Sequence, residues 1–487
     1  MSPTPIFVRK ANEVHLIVDT DGQTRRKLSD YFSFPIPGAE FSEAKRKGWW
    51  DGRKRLFDMR TGALYMGLLP RLEAWAAKTN RQLVKTDFPD DREAISKATA
   101  GRFLKDLGLP FVPRDYQVKA FWDAITVRRA TFISPTNSGK SLTIYLIARW
   151  FADTYGLKVL LIVPTIGLVR QMMGDFTSYG GDGYCHGIHG GQDKDTDKPV
   201  VVSTWQSIHE LPSQWFDQFG VLIGDEAHGF KADRLVALAT KCTRASFRYG
   251  FTGTLDGIPT HRIIIEGLFG PVTVLATNAE LIDRGVSSPI QIEAIRLTWP
   301  PSIAEAVCHG DYRHEIATLI SSANRNTVLV RLAASLPGNT LILFQFVEKH
   351  GKVLERRLRE ETTKEVHYIH GGVDIDIRDE LRGIMERGND IVALCSYGTF
   401  STGVNISRIH NLVFASPFKA QVRLLQSIGR GLRTATDKSR IRVFDLIDDL
   451  RSDGAVNYTF EHWLARKKVY ENEGFAYVER ELSLAEV

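Results

Sequence analysis

The apolar positions of this chain fall into two series of short, unbroken runs, each separated from the next by polar turns and helically spaced segments. The first series is TFISP (131–135), KVLLIVP (158–164), PVVVSTWQSI (199–208), FGVLIGDEAH (219–228) and FRYGFTGT (247–254). The second is NTLILFQF (339–346), EVHYIH (365–370), DIVALCS (390–396), NLVFASP (411–417) and RIRVFDLID (440–448). Continuous apolar runs of this length suit strands buried on both faces, and the intervening helical patterns supply the covering layers. The pattern therefore predicts an α/β protein with two parallel sheets in tandem. The first ~95 residues differ. IFVRKANEVHLIVD alternates, DGQ at 21–23 reads as a turn, and GLLPRLEAWAAKTN (67–80) has helical spacing, so a small α+β domain is expected over 1–95. Residues 96–112 read as a helix-containing linker, 113–290 as the first lobe, 291–455 as the second and 456–487 as a charged helical tail. The Gly/Ser/Pro break at 280–300 marks the expected hinge.

Composition adds bounds. At about 150 residues per domain, 487 residues imply about three domains. The 43% hydrophobic and 25% charged content is that of a soluble globular chain. No apolar run approaches the ~18 residues of a membrane-spanning helix, and the N-terminus lacks the apolar core of a signal peptide. The four cysteines, Cys185, Cys242, Cys308 and Cys395, lie far apart with no CxxC pair, which argues against a zinc site or disulfide framework. A cytoplasmic protein with no membrane partner is expected. The net charge of +6 is compatible with nucleic-acid binding without requiring it.

The candidate chemistry falls at the carboxyl ends of the first-series strands, where parallel sheets bind ligands. SPTNSGKS (134–141) places Thr136, Asn137, Ser138 and Gly139 in a small-residue loop between a strand and a helix. Backbone N–H groups there face an anion, Lys140 reaches the outer phosphates and Ser141 contacts Mg²⁺. Ser134 stands where the GxxxxGK pattern has its first glycine. DEAH (225–228) supplies Asp225 to hold Mg²⁺ and Glu226 to polarise an attacking water. Gln117 in RDYQ can read an adenine edge. QSIGRGLR (426–433) sets Arg430 and Arg433 three apart, on one face of a helix, as cations for a transition state. FSEAKRKGWWDGRKRLFD (41–58) packs Lys45, Arg46, Lys47, Arg53, Lys54 and Arg55 around Trp49 and Trp50. That mixture suits phosphate contact plus base stacking, and the competing reading is a solvated cationic face over two core tryptophans.

In order, these motifs resemble those of superfamily 2 helicases and translocases of the DEAH-like branch. RDYQ resembles the Q motif, SPTNSGKS motif I, PTIGLVRQ (164–171) Ia, VSTWQSI (202–208) Ib, DEAH II and TGT (252–254) III. FQFVEKHG (344–351) resembles IV, SYGTFSTGVNI (396–406) V and QSIGRGLR VI. The resemblance, over residues 113–450, implies two RecA-like lobes that bind ATP and Mg²⁺ in a cleft and nucleic acid across their tops. It implies nucleotide contacts for Gly403, Asn405 and Gln426, DNA contacts for Arg170, Thr204 and Thr402, and coupling roles for His228, Thr252 and Thr254. WWDGRKRLFD…TGALYMGLL resembles the small N-terminal DNA-binding domain of phage recombination and repair helicases. This implies a monomer acting on branched double-stranded and single-stranded DNA: fork regression, Holliday-junction branch migration and R-loop unwinding, with RNA–DNA hybrids as a further partner. The alternatives are a restriction-system motor subunit, an RNA helicase, and a non-catalytic ATP-binding clamp, the last disfavoured by Lys140, Glu226 and Arg430.

Overall fold

The computed structural model describes residues 4–88, 95–308, 310–373, 375–401, 406, 408–419, 424–425, 427–429, 438–452 and 457–486. The chain forms two compact units, Met1–Ser134 with Gly139–Leu275, and Pro135–Ser138 with Ala276–Val487. The division at 275/276 lies just ahead of the break expected at 280–300.

In the first unit, seven parallel strands run in the order Val272–Val274, Arg129–Ile133, Phe247–Thr252, Phe219–Asp225, Lys158–Val163, Val200–Thr204 and Cys185–Ile188. The strand Lys158–Val163 shows why its sequence is continuously apolar. Val159, Leu161 and Val163 pack with Ile144, Tyr145 and Phe151 of helix Lys140–Tyr155. Leu160 and Ile162 point the other way, into a core shared with Phe230, Leu238 and Phe269. Successive residues face opposite layers, and both layers are dry. Helix Lys97–Asp106 belongs to this unit rather than to a linker: Ser96 caps it, accepting from the Thr99 N–H at 3.0 Å, and Phe103 meets Trp150 edge-on at 5.0 Å.

The N-terminal domain is part of the same unit. Its sheet runs Ala63–Tyr65, His15–Asp19, Ile6–Lys10, Leu83–Thr86, with only the last pairing parallel. DGQ at 21–23 begins a helix instead of closing a turn, because Asp21 accepts from the Thr24 N–H at 2.9 Å and caps Gly22–Tyr31. Ile6, Val8, Leu16, Leu64 and Trp75 belong to the core that also contains Leu160 and Phe269. The contact is close enough to require glycine: a Cβ on Gly67 would stand 2.0 Å from the Glu266 carbonyl oxygen. Arg71 and Arg262 hold the Glu266 carboxylate at 2.6 and 2.8 Å. Thr260 Oγ1 donates to Pro35 O at 2.7 Å.

The second unit also has seven parallel strands, in the order Val366–Ile369, Val392–Ser396, Thr340–Phe344, Asn411–Phe414, Ile441–Asp449, Ile290–Thr298 and Tyr477–Ser483. The last strand comes from the segment expected to be a helical tail. That tail forms an α-helix over Tyr458–Asn472, and Tyr477–Ser483 then completes the sheet edge against Ile290–Thr298, followed by a short 3₁₀ turn at Leu484–Glu486. Two buried ion pairs place a helix on each face. Asp445 and Asp448, three apart on one strand, point to opposite sides. Asp445 takes Arg466 of Tyr458–Asn472 at 2.8 and 2.9 Å. Asp448 takes Arg325 of Ala323–Ser335 at 2.8 and 2.9 Å. Such bidentate pairs fix which helix sits where more than they add net stability. Among the described residues, no helix is long and apolar enough to cross a membrane.

Candidate active site and nucleic-acid surface

The phosphate loop grows out of the strand Arg129–Ile133. The Ser134 N–H donates to Thr252 O at 2.8 Å. Ser134 is absent from the residues with positive φ, so serine in place of the first glycine carries no backbone strain. The turn is fixed by Ser138, whose Oγ donates to Pro135 O at 2.6 Å, and by the left-handed Asn137 (φ 73°) and Gly139 (φ 77°). Gly139 is glycine for a second reason, since a Cβ there would lie 2.4 Å from Gln117 Nε2. Helix Lys140–Tyr155 starts at once after Gly139, so the loop leads directly into a helix N-terminus. Gln117 Oε1 accepts from the Arg114 N–H at 2.8 Å, and its Nε2 donates to Gly139 O at 3.2 Å. The predicted adenine reader is thus tied to the phosphate loop.

Strand Phe219–Asp225 delivers the acids. Lys140 Nζ stands 3.1 Å from Glu226 Oε1 and 3.8 Å from Asp225 Oδ1. His228 Nδ1 lies 3.0 Å from Thr252 Oγ1 and 3.3 Å from Glu226 Oε2. Thr252 Oγ1 donates to Thr254 O at 2.9 Å, so its single proton is committed and His228 is the donor, protonated on Nδ1. Thr254 Oγ1 in turn donates to Leu255 O at 3.1 Å. Lys140, Asp225, Glu226, His228, Thr252 and Thr254 are therefore brought together by these contacts.

Burial raises the Asp225 carboxyl above its usual range, against the pull of Lys140. Burial also acts to raise Glu226, but Lys140 and His228 outweigh it and hold that carboxyl well below the ordinary value. Asp225 Oδ1 is buried and accepts no hydrogen bond among the described residues. An anionic oxygen buried without a donor is costly and suits a cation. One carboxylate with the Ser141 hydroxyl is a hard oxygen set that fits Mg²⁺ bound together with phosphates and water. Among the described residues there is no group of three His, Cys, Asp or Glu to cage a metal alone. Ser141 Oγ lies 2.9 Å from Tyr179 Oη, a contact the sequence did not signal. Thr402, Gly403, Asn405, Gln426, Arg430 and Arg433 lie outside the described residues.

The basic stretch of the N-terminal domain forms a projection of the short helix Glu43–Arg46, a turn, and strand Arg53–Arg55 paired with Ser33–Pro35. Trp49 is 76% exposed, which removes the core reading for it, and Lys47 Nζ sits 4.8 Å over its ring. Phe41, not singled out beforehand, is 79% exposed. Trp50 is half-buried, its Nε1 donating to Arg53 O at 2.9 Å. The six cations differ in freedom. Arg53 is spent on Ser33 Oγ and O at 2.7 and 2.6 Å, Arg55 on Asp51 at 2.5 Å, and Lys54 on Asp233 at 3.0 Å. Lys47 pairs with Glu43 at 2.5 Å, while Lys45 and Arg46 have no ion-pair partner among the described residues. Arg170 is exposed on helix Ile166–Ser178. Thr204 is 3% exposed with its hydroxyl 2.9 Å from Ser207 Oγ, so its side chain is not offered to DNA in this conformation.

Paired RecA-like parallel sheets, a strand–loop–helix phosphate cradle and an acidic strand end joined to a threonine motif define the class, a superfamily 2 helicase. The family model for the type III restriction enzyme res subunit matches residues 110–257. The ATP-dependent DNA helicase uvsW of Enterobacteria phage T4 is 30% identical over 96% of this chain and 98% of its own. The crystal structure of T4 UvsW covers 99% of this chain and 100% of its own, with 29% identity and a TM-score of 0.52. The ATP-dependent type ISP restriction-modification enzyme LlaBIII shares the fold at 14% identity and a TM-score of 0.56, over 84% of this chain and 34% of its own. The chain belongs to the UvsW family of helicases.

Proposed function

We propose that this protein couples ATP hydrolysis to the remodelling of branched DNA: fork regression, Holliday-junction branch migration and R-loop unwinding. The observation that carries the reading is the chain of contacts from Lys140 through Glu226 and His228 to Thr252 and Thr254. It joins a phosphate-reaching lysine to a water-polarising carboxylate and then to the next motif.

The cycle follows from these residues. Lys140 Nζ rests against Glu226 Oε1 at 3.1 Å. ATP draws the ammonium onto its phosphates, and Glu226, no longer beside that cation, gains basicity. The Glu226 carboxylate can then accept a hydrogen bond from the attacking water. Ser141 and Asp225 would hold Mg²⁺, which neutralises phosphate charge when bound. Arg430 and Arg433 supply further cations for the transition state, and Gln117, Gly403, Asn405 and Gln426 contact the nucleotide. His228 and Thr252 pass the change at Glu226 to the Thr254 segment. Arg170 and Thr402 contact the DNA backbone, and on the projection Lys45, Arg46 and Lys47 meet phosphates while Trp49 stacks on a base. Binding accordingly weakens as salt rises.

A restriction-system motor is the second reading, favoured by the res-subunit match at residues 110–257. The likeness to uvsW extends over the N-terminal domain as well and supports the first. Unwinding of fork, Holliday junction, R-loop and linear duplex, run side by side at one salt concentration, tests the substrate. Faster turnover of the branched substrates is expected, and equal or faster turnover of linear duplex would count against this reading.

A further inference from the structure

The Ser141 hydroxyl is paired with a residue that no motif singles out. Tyr179 Oη lies 2.9 Å away, at the C-terminal cap of helix Ile166–Ser178. Tyr179 is firmly placed. Its N–H donates to Asp175 O at 3.0 Å and Phe176 O at 3.2 Å, and its ring meets Tyr145 and Phe111 edge-on at 5.4 and 6.1 Å. Burial raises the phenol above its ordinary value, so it remains a neutral hydroxyl at physiological pH.

A serine hydroxyl has one proton and two lone pairs. To serve a hard divalent cation it must turn a lone pair toward the metal and its proton away, and that proton needs an acceptor. Asp225 Oδ1, the buried carboxylate oxygen that would also face the cation, has no hydrogen-bond partner among the described residues, Ser141 included, and so does not take it. Tyr179 Oη is within reach. We propose that Tyr179 is a positioning residue for Mg²⁺: it accepts the Ser141 proton, fixes the Ser141 rotor with a lone pair toward the ion, and leaves the Asp225 carboxylate free for the same ion. This rests on the reading of Ser141 as a Mg²⁺ contact. Outer partners of metal ligands commonly set affinity in this way, by orienting the ligand rather than touching the ion.

Tyr179→Phe removes one oxygen and keeps the ring packing. Binding of a fluorescent ATP analogue to the full chain is measured against Mg²⁺ concentration and again in EDTA. The half-saturating Mg²⁺ concentration should rise roughly tenfold, the low end for loss of an outer partner, while the affinity in EDTA and the thermal midpoint stay put. In a Ser141→Ala background, which itself raises the Mg²⁺ requirement, adding Tyr179→Phe should change nothing more. An unchanged or lowered requirement in Tyr179→Phe, or an equal shift in the Ser141→Ala background, overturns the proposal. If Ser141→Ala alone leaves the Mg²⁺ requirement unaltered, the reading of Ser141 fails first, and the role of Tyr179 falls with it.

Discussion

Glu226 holds a left-handed backbone at φ 48°, a conformation that costs a non-glycine residue on the order of 1–3 kcal/mol. The strain turns its carboxylate toward both Lys140 and His228 directly after the buried strand end. His228 donates to Thr252 and lies near Glu226, so its loss should separate the chemistry from its consequence. His228→Ala is expected to retain ATP hydrolysis but to consume on the order of five- to tenfold more ATP per base pair opened. Parallel ATPase and unwinding measurements check this, and an unchanged ratio would remove His228 from the coupling path. A second histidine gives a pH signature. Burial, with Arg325 nearby, pushes His350 down to about 3. The unfolded chain takes up a proton near pH 6.5 that the folded protein refuses. The stability is therefore complete above pH 6.5 and falls by up to about 1.4 kcal/mol per pH unit below it. Denaturant melts of wild type and His350→Asn between pH 7.5 and 5 should show the wild type losing more stability. Equal slopes would refute the assignment.

At the scale of elements, legibility followed burial. Strands dry on both faces, such as Lys158–Val163 and Phe219–Asp225, were plain in the sequence, and the acids and hydroxyls at their ends were found with them. Tyr477–Ser483 was not, because YVERELS is an exposed edge strand stabilised by pairing with Ile290–Thr298 rather than by an apolar run. The helix Gly22–Tyr31 was hidden behind an Asp-Gly pair that reads as a turn until the cap at Asp21 is seen. Tyr179 could not be found at all, since its contact with Ser141 exists only after the chain has folded. The buried pairs of strand Ile441–Asp449 carry an element-scale prediction. Asp445→Asn leaves the Arg466 guanidinium and Tyr470 hydroxyl facing a poorer partner in a dry core. It should cost about 3–5 kcal/mol in denaturant melts, whereas Asp445→Leu with Arg466→Met should recover most of that loss. A mild single-variant effect would mean the pair is not what holds the helix Tyr458–Asn472.

Across the first unit, the N-terminal domain and the ATPase sheet share one core and close approaches such as Gly67 on Glu266. The basic projection thus belongs to the same packed unit as the sheet that bears Lys140 and Glu226. The sequence showed the charge and the aromatics but not their freedom, which depends on pairings made only in the fold. Replacing Lys45, Arg46 and Trp49 together by Ala should weaken branched-DNA affinity by at least tenfold, given about 1–3 kcal/mol for one stacked base alone, and flatten the salt dependence. Arg53→Ala, whose guanidinium is spent on Ser33, should act mainly on stability. Salt titrations of junction binding distinguish the two, and equal losses of affinity would contradict the division. The most direct test of the whole account is steady-state ATP hydrolysis by wild type and Glu226→Gln, with and without a Holliday junction. The account predicts hydrolysis stimulated by the junction in the wild type and a kcat lowered about 10²–10⁴-fold in Glu226→Gln, with junction binding retained. Hydrolysis indifferent to DNA, or a Glu226→Gln protein as fast as wild type, would contradict it.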